Sequence, residues 1–213
     1  MSEVFSGDDR DAWARAQAEL DRLPPEPPGQ REWRRTVQRR QRVLAVVLLG
    51  AAVAVLLFLV VADGSFTGSG EVPRWQRGTG LAVLVAGLGA PLLAMVIGSR
   101  GHDHARHRPV EWLTGVPRRT LLRAARTGTP LADQQLPLAR VVVRAHLATQ
   151  AIRSVQVAAL PLALTGSAVT HPEPVMFGVV VVVLVVAVVA LAHLRRDARR
   201  LQRFLDEHPA PVH

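Results

Sequence analysis

Hydrophobic residues along this chain are gathered in blocks rather than scattered at the spacing of a soluble core. The longest block, residues 175–194 (VMFGVVVVVLVVAVVALAHL), holds no Asp, Glu, Lys or Arg, and ten of its twenty residues are valine. In water such a β-branched run would read as a buried strand. Its length argues for a helix, because at about 1.5 Å per residue it reaches roughly 30 Å, the thickness of a bilayer's hydrocarbon core. Lipid offers no water to unpaired backbone, so the run is expected to satisfy its own N–H and C=O groups helically. Three further apolar blocks, residues 43–62, 79–98 and 154–170, are read as spans of the same kind. The third is the shortest. Pro161 interrupts it and Thr165, Gly166 and Ser167 dilute it, so it reads as a span, a re-entrant segment or a continuation of the helix before it.

The polar stretches between the blocks carry their own periodicity. Residues 1–23 predict an amphipathic helix, capped by Ser6, with Asp8, Asp9 and Asp11 opposing the helix dipole in the first turn. Trp13, Ala16, Leu20 and Leu23 form its apolar stripe, and the preferred reading is a helix packed on the protein's own cytoplasmic portion, or frayed, rather than docked on a partner or the membrane surface. The PPEPPG that follows reads as a stiff linker. Residues 31–42 bring a run of arginines (Arg34, Arg35, Arg39 and Arg40 among them) up to the first span, where they can snorkel toward anionic headgroups. Forty-two residues before that span argue against a cleaved signal peptide.

Residues 63–78 read as a Gly/Ser/Pro turn region. The second span carries small residues at every fourth position, Gly78, Ala82, Ala86, Ala90, Ala94 and Gly98, a pattern that lets helices approach closely. With a local kink at Pro91, it is expected to be the central packing element. In the middle stretch, residues 99–153, two amphipathic helices are expected. One sets Leu121, Leu122 and Ala125 opposite Arg119, Arg123 and Arg126, with Pro117 at its start and Gly128 at its end. The other sets Leu138, Val142, Ala145 and Ile152 opposite Arg140 and Arg144. Both are expected to lie in the membrane interface, with a folded helical hairpin as the alternative.

Charge then fixes the topology. Arginines number 9 before the first span, 2 between the first and second, 10 from Arg100 to Arg153, 0 between the third and fourth, and 5 after Leu194. With four spans 24 of the 26 fall on one side, while three spans would strand the last five outside. The expectation is an all-α, four-helix transmembrane bundle of the cell membrane, with amphipathic cytoplasmic helices and both termini cytoplasmic. Its segments are a cytoplasmic lead (1–42), a first hairpin (43–98), a cytoplasmic loop (99–153), a second hairpin (154–194) and a cytoplasmic tail (195–213). In that tail Arg195 and Arg196 open an exposed helix whose Leu201 and Phe204 touch the interface.

Composition adds mostly exclusions. All 26 basic residues are Arg, and Cys, Lys, Asn and Tyr are absent, the usage of a GC-rich genome rather than a chemical choice. Without Cys there is neither a disulfide framework nor a thiolate metal site. The net charge of +9 is topological, so anionic lipid headgroups, and a protein partner or a second copy of the chain, are expected rather than nucleic acid. No nucleophile elbow, Walker loop or HExxH is present, so no catalytic residue and no cofactor is expected. Ser167 and His171 share a helix spacing but lack a third orienting group. His102, Asp103, His104 and His107 are the one weak metal candidate, read first as a hydrophilic juxtamembrane linker. His171, Glu173, Asp63 and Glu71 read as loop polarity on the outer side. The spans hold no ionisable residue except His193 at the end of the last, which disfavours ion-coupled transport.

The segment GVPRRTLLRAARTGTPLADQQLPLARVVVRA resembles a recurring cytoplasmic stretch in small multi-span membrane proteins of high-GC Gram-positive bacteria. That resemblance implies a membrane location and carries no activity or functional residue. The expected role is a scaffold, regulatory or assembly subunit acting through arginine-rich cytoplasmic helices. A small transporter or channel subunit is the alternative, and a membrane enzyme the third choice.

Overall fold

A computed structural model describes the backbone of residues 7–22, 28–62, 74–99, 110, 113, 115–171 and 173–208. It describes their side chains except at 7–10, 28–31, 33–35, 59–62, 74, 75, 98, 99 and 174. Among these residues the chain is all-α, with six helices and no strand. They are α1 (Gly7–Asp21), α2 (Pro28–Ala62), α3 (Arg74–Ser99), α4 (Val116–Thr127), α5 (Leu136–Thr170) and α6 (Pro174–Glu207), with a 3-10 turn at Asp133–Gln135 leading into α5. Four of them, α2, α3, α5 and α6, are long and apolar enough to cross a membrane.

Several boundaries move from their sequence expectation. Pro28 and Gly29 of the expected linker already belong to α2, where proline's fixed φ suits a first turn. α3 starts at Arg74, inside the expected turn region. The helix expected over 138–152 and the span 154–170 are one 35-residue helix, α5. Likewise the tail is no separate element, since α6 continues without a break from the valine run through Glu207. Continuity removes the need to cap helix ends, where unsatisfied N–H and C=O groups would otherwise need partners.

The chain divides into two compact units. The apolar unit comprises residues 34–100 and 151–194. Its core takes Ala45, Leu48 and Ala52 from α2, Ala94 from α3, and Val155, Ala158, Ala159 and Leu162 from α5, with Leu184 and Leu191 of α6 packed against it. Outward it shows what lipid requires: Val43, Val47, Phe58, Leu81, Leu92, Val182 and Val186 are all exposed.

The centre of this unit is not α3, as its small-residue stripe suggested, but α5. The apolar window of α5 is 61% buried, against 22%, 17% and 11% for α2, α3 and α6. Geometry explains the correction. At about 100° per residue, each step of four overshoots a full turn by about 40°, so five steps carry the stripe halfway round the helix. Gly78, Ala82 and Ala86 accordingly face outward, Ala90 is half-buried and Ala94 is buried, while the side-chain surroundings of Gly98 lie outside the described residues. Contact follows a seven-residue spacing instead, through Gly80, Gly87 and Ala94, which drifts by only about 20° per repeat. Here two backbones meet: a Cβ on Gly87 would lie 2.6 Å from Ala163 N, and one on Gly80 2.8 Å from Gly166 O. Gly166 answers from α5, where a Cβ would come 2.4 Å from Leu84 N.

Buried polar groups tie the helices further. Gln41 of α2 donates to the Ala94 carbonyl at 3.2 Å, and Gln76 of α3 donates to the Val169 carbonyl at 3.2 Å. The hydroxyls of Ser154 and Thr165 donate to carbonyls of their own helix, Ala151 at 2.6 Å and Pro161 at 2.7 Å, so neither enters the bundle unsatisfied.

The polar unit comprises residues 1–33, 101–150 and 195–213. Leu121, Leu122 and Ala125 of α4, Leu138, Val142 and Val143 of α5, and Leu201 and Phe204 of α6 share one buried core with Ala16 of α1. Trp13 and Leu20 pack on it, as the preferred reading of the N-terminal helix has it; Ser6 and Leu23 lie outside the described residues. The faces expected to lie in the membrane interface are thus turned against one another, and Leu201 and Phe204 are core residues rather than interfacial ones. Two amphipathic helices joined by a short connection bury more apolar surface on each other and on a third helix than a headgroup layer offers. α4 ends as its sequence predicts, with Gly128 in the left-handed region (φ 70°) and the Thr129 N–H closing on the Ala124 carbonyl at 3.1 Å.

Candidate functional site

Within the polar unit, three helices converge on one polar cluster. Arg126 sits in the last turn of α4, His146 and Gln150 stand one turn apart on α5, and Asp197 lies on α6. Arg126 Nη2 donates to Asp197 Oδ2 at 2.7 Å, while its Nε lies 2.5 Å from Oδ1 as an ion-pair contact, outside hydrogen-bonding alignment. The Gln150 amide nitrogen donates to the same Oδ2. His146 Nε2 lies 3.2 Å from Arg126 Nη2, 3.2 Å from Gln150 Nε2 and 3.6 Å from Asp197 Oδ2.

Two donors aimed at His146 Nε2 assign its role. A nitrogen facing a guanidinium and an amide N–H accepts, so the ring is neutral with its proton on Nδ1. The electrostatics agree. His146 belongs to the polar unit, ahead of the stretch of α5 that belongs to the apolar one, and burial, reinforced by the Arg126 cation, holds its pKa below the ordinary value against the opposing pull of Asp197. The Gln150 Oε1 is buried without a hydrogen-bond partner. As an assembly the cluster ties three helices together through one carboxylate.

The sequence reading missed this cluster. It placed Arg126 with the exposed arginines, whereas its side chain is 37% exposed and committed to Asp197. A signal was there: Asp197 is the single acid within the run RRDARRLQR, and an acid kept among five arginines has a partner to find.

The other sequence candidates fall into two groups. Arg39, Arg40, Arg119, Arg123, Arg195 and Arg196 are exposed, as expected of a charged surface. On α6 they continue into Arg199, Arg200 and Arg203, so five arginines occupy the face opposite buried Ala198, Leu201 and Phe204. The side chains of Arg34 and Arg35, and all of His102, Asp103, His104 and His107, lie outside the described residues. Among the described residues no group of three His, Cys, Asp or Glu could hold a metal ion. Ser167 is half-buried and His171 is exposed; the contact between them is a backbone bond, His171 N–H to Ser167 carbonyl at 3.0 Å. Glu173 is exposed in the turn between α5 and α6, while Asp63 and Glu71 lie outside the described residues.

Compared with known proteins, the chain matches no family model, no curated protein and no solved structure.

Proposed function

We propose that this chain is a non-enzymatic subunit of the cell membrane, a scaffold or assembly factor whose arginine-rich surface faces the cytoplasm and engages anionic headgroups. The observation that carries this reading is the arginine face of α6. Arg195, Arg196, Arg199, Arg200 and Arg203 are exposed and follow directly on the valine run; Asp197 among them is turned inward to Arg126, and the exposed acids Asp206 and Glu207 come only after Arg203. Each arginine near an anionic leaflet contributes about 1 kcal/mol of attraction, falling off within a Debye length. Five on one face form a strong local field, and the arginine bias across the spans supports the reading that both termini and the middle loop lie on the same side.

The test is lipid retention. The purified chain should carry anionic phospholipid through a detergent wash, read by mass spectrometry. The combined substitution Arg199→Gln, Arg200→Gln and Arg203→Gln should lose that enrichment and keep the fold. Equal lipid profiles for the two proteins would remove the headgroup reading. Crosslinking and affinity capture from native membranes then ask whether the same face also holds a protein partner, as the assembly role requires.

A further inference from the structure

We infer that Arg126, His146, Gln150 and Asp197 form a proton-operated latch, which ties α4 to α5 and α6 while His146 is neutral and releases Arg126 when His146 takes up a proton. This goes beyond the arginine surface proposed above and does not depend on it.

The argument is geometric. The charged groups acting on the imidazole are Arg126 and Arg118 on α4 and Asp197 on α6, and its polar neighbour on α5 is Gln150. In the neutral state Arg126 and Asp197 cancel, and Nε2 accepts from Arg126 at 3.2 Å. A proton from solvent that settles on Nε2 turns this acceptor into a donor. Both N–H groups aimed at it then lose their partner, and a second cation stands beside the guanidinium. One carboxylate must then serve two cations. His146 and Asp197 side chains are 16% and 21% exposed, whereas Arg126 is 37% exposed. Arg126 is therefore the cation with a route to water, and the imidazolium, already 3.6 Å from Asp197 Oδ2, is the one that keeps the carboxylate. Losing Arg126 removes the polar tie of the last turn of α4 and leaves it only the small Ala125 side chain in the core, while Leu121 and Leu122 hold its first turns.

The direction with pH follows. Because burial and Arg126 favour the neutral ring in the folded chain, the unfolded chain binds the proton first as pH falls. The latch therefore contributes fully above the ordinary histidine value of about 6.5, and its contribution is lost as pH falls below that toward the lower folded-state value.

The test uses the full chain in lipid nanodiscs, with backbone amide exchange followed between neutral and acidic pH and corrected for the intrinsic exchange rate. Protection across residues 123–127 should fall several-fold on acidification. His146→Gln should make the profile flat, and Asp197→Asn should show the low, acid-like protection already at neutral pH. Unchanged protection in the native chain, or the same acid response in His146→Gln, overturns the latch. Should either variant fail to fold, the native chain still decides: the nitrogen resonances of labelled His146 must report an Nδ1–H tautomer that titrates below the ordinary value. An Nε2–H tautomer, or titration at or above that value, overturns the assignment.

Discussion

Single residues decide how closely the helices of the apolar unit approach. A side chain on Gly166 would collide with the Leu84 backbone, and one on Gly87 with the Ala163 backbone, so neither clash can be relieved by a rotamer change. Gly89, two residues on from Gly87 and so about 200° round the helix from the contact line, has nothing within 4 Å of an added Cβ. Gly166→Ala should therefore cost about 1–3 kcal/mol as overpacking. Gly89→Ala should be neutral or slightly stabilising, because alanine favours the helix by roughly 1 kcal/mol over glycine. Thermal unfolding in one detergent compares them directly; equal melting shifts would mean that the close crossing of α3 and α5 is absent. Polar ties act on the same scale. Gln76→Leu removes the donor to the Val169 carbonyl and should cost about 0.6 kcal/mol, the average for hydrogen bonds between membrane helices, and no more than about 1.7 kcal/mol. No loss in the same melting assay would mean that the amide bond does not hold α3 to α5.

Whole helices show what hydropathy can and cannot announce. Spans α2, α3 and α6 were legible because lipid, as a solvent, writes long unbroken apolar blocks, and the helices most exposed to it write them most plainly. The valine run belongs to the least buried of the four. By the same logic the weakest block is the interior one: Ser154, Thr165 and Gly166 lower its hydropathy, and a helix surrounded by helices can carry them. Low hydropathy was a mark of centrality rather than of doubt. The polar cluster stayed hidden for another reason, since Arg126 and Asp197 stand 71 positions apart and no periodicity connects them. The small-residue stripe on α3 gives a clean test of what remains of its expected role. Ala163→Leu, in the contact with Gly87, should cost about 1–3 kcal/mol through overpacking. Ala86→Leu, on the outward face, should leave the melting temperature of the monomer unchanged. A shift in oligomeric size with Ala86→Leu alone would assign the stripe to contact between copies; destabilisation of the isolated chain would contradict its outward placement.

At the scale of the molecule, the arginine distribution becomes a statement about sidedness. If all four candidate spans cross, Arg74 and Arg77 fall on one face and the other 24 arginines on the opposite one. Because the chain has no cysteine, a thiol introduced at any exposed position is unique and reports which side that position occupies. Glu173, exposed in the turn between α5 and α6, and Arg200, exposed on the continuation of α6 past the valine run, are the informative pair. They are 27 residues apart, about 40 Å along a helix at about 1.5 Å per residue, more than the roughly 30 Å of the hydrocarbon core. In intact cells a membrane-impermeant maleimide should label Glu173→Cys and spare Arg200→Cys, and permeabilisation should expose the second. Labelling of both in intact cells would mean that α6 does not cross the bilayer. The reverse pattern would put the arginines outside, where the potential and the anionic leaflet no longer favour them, and the headgroup role would fall with the topology.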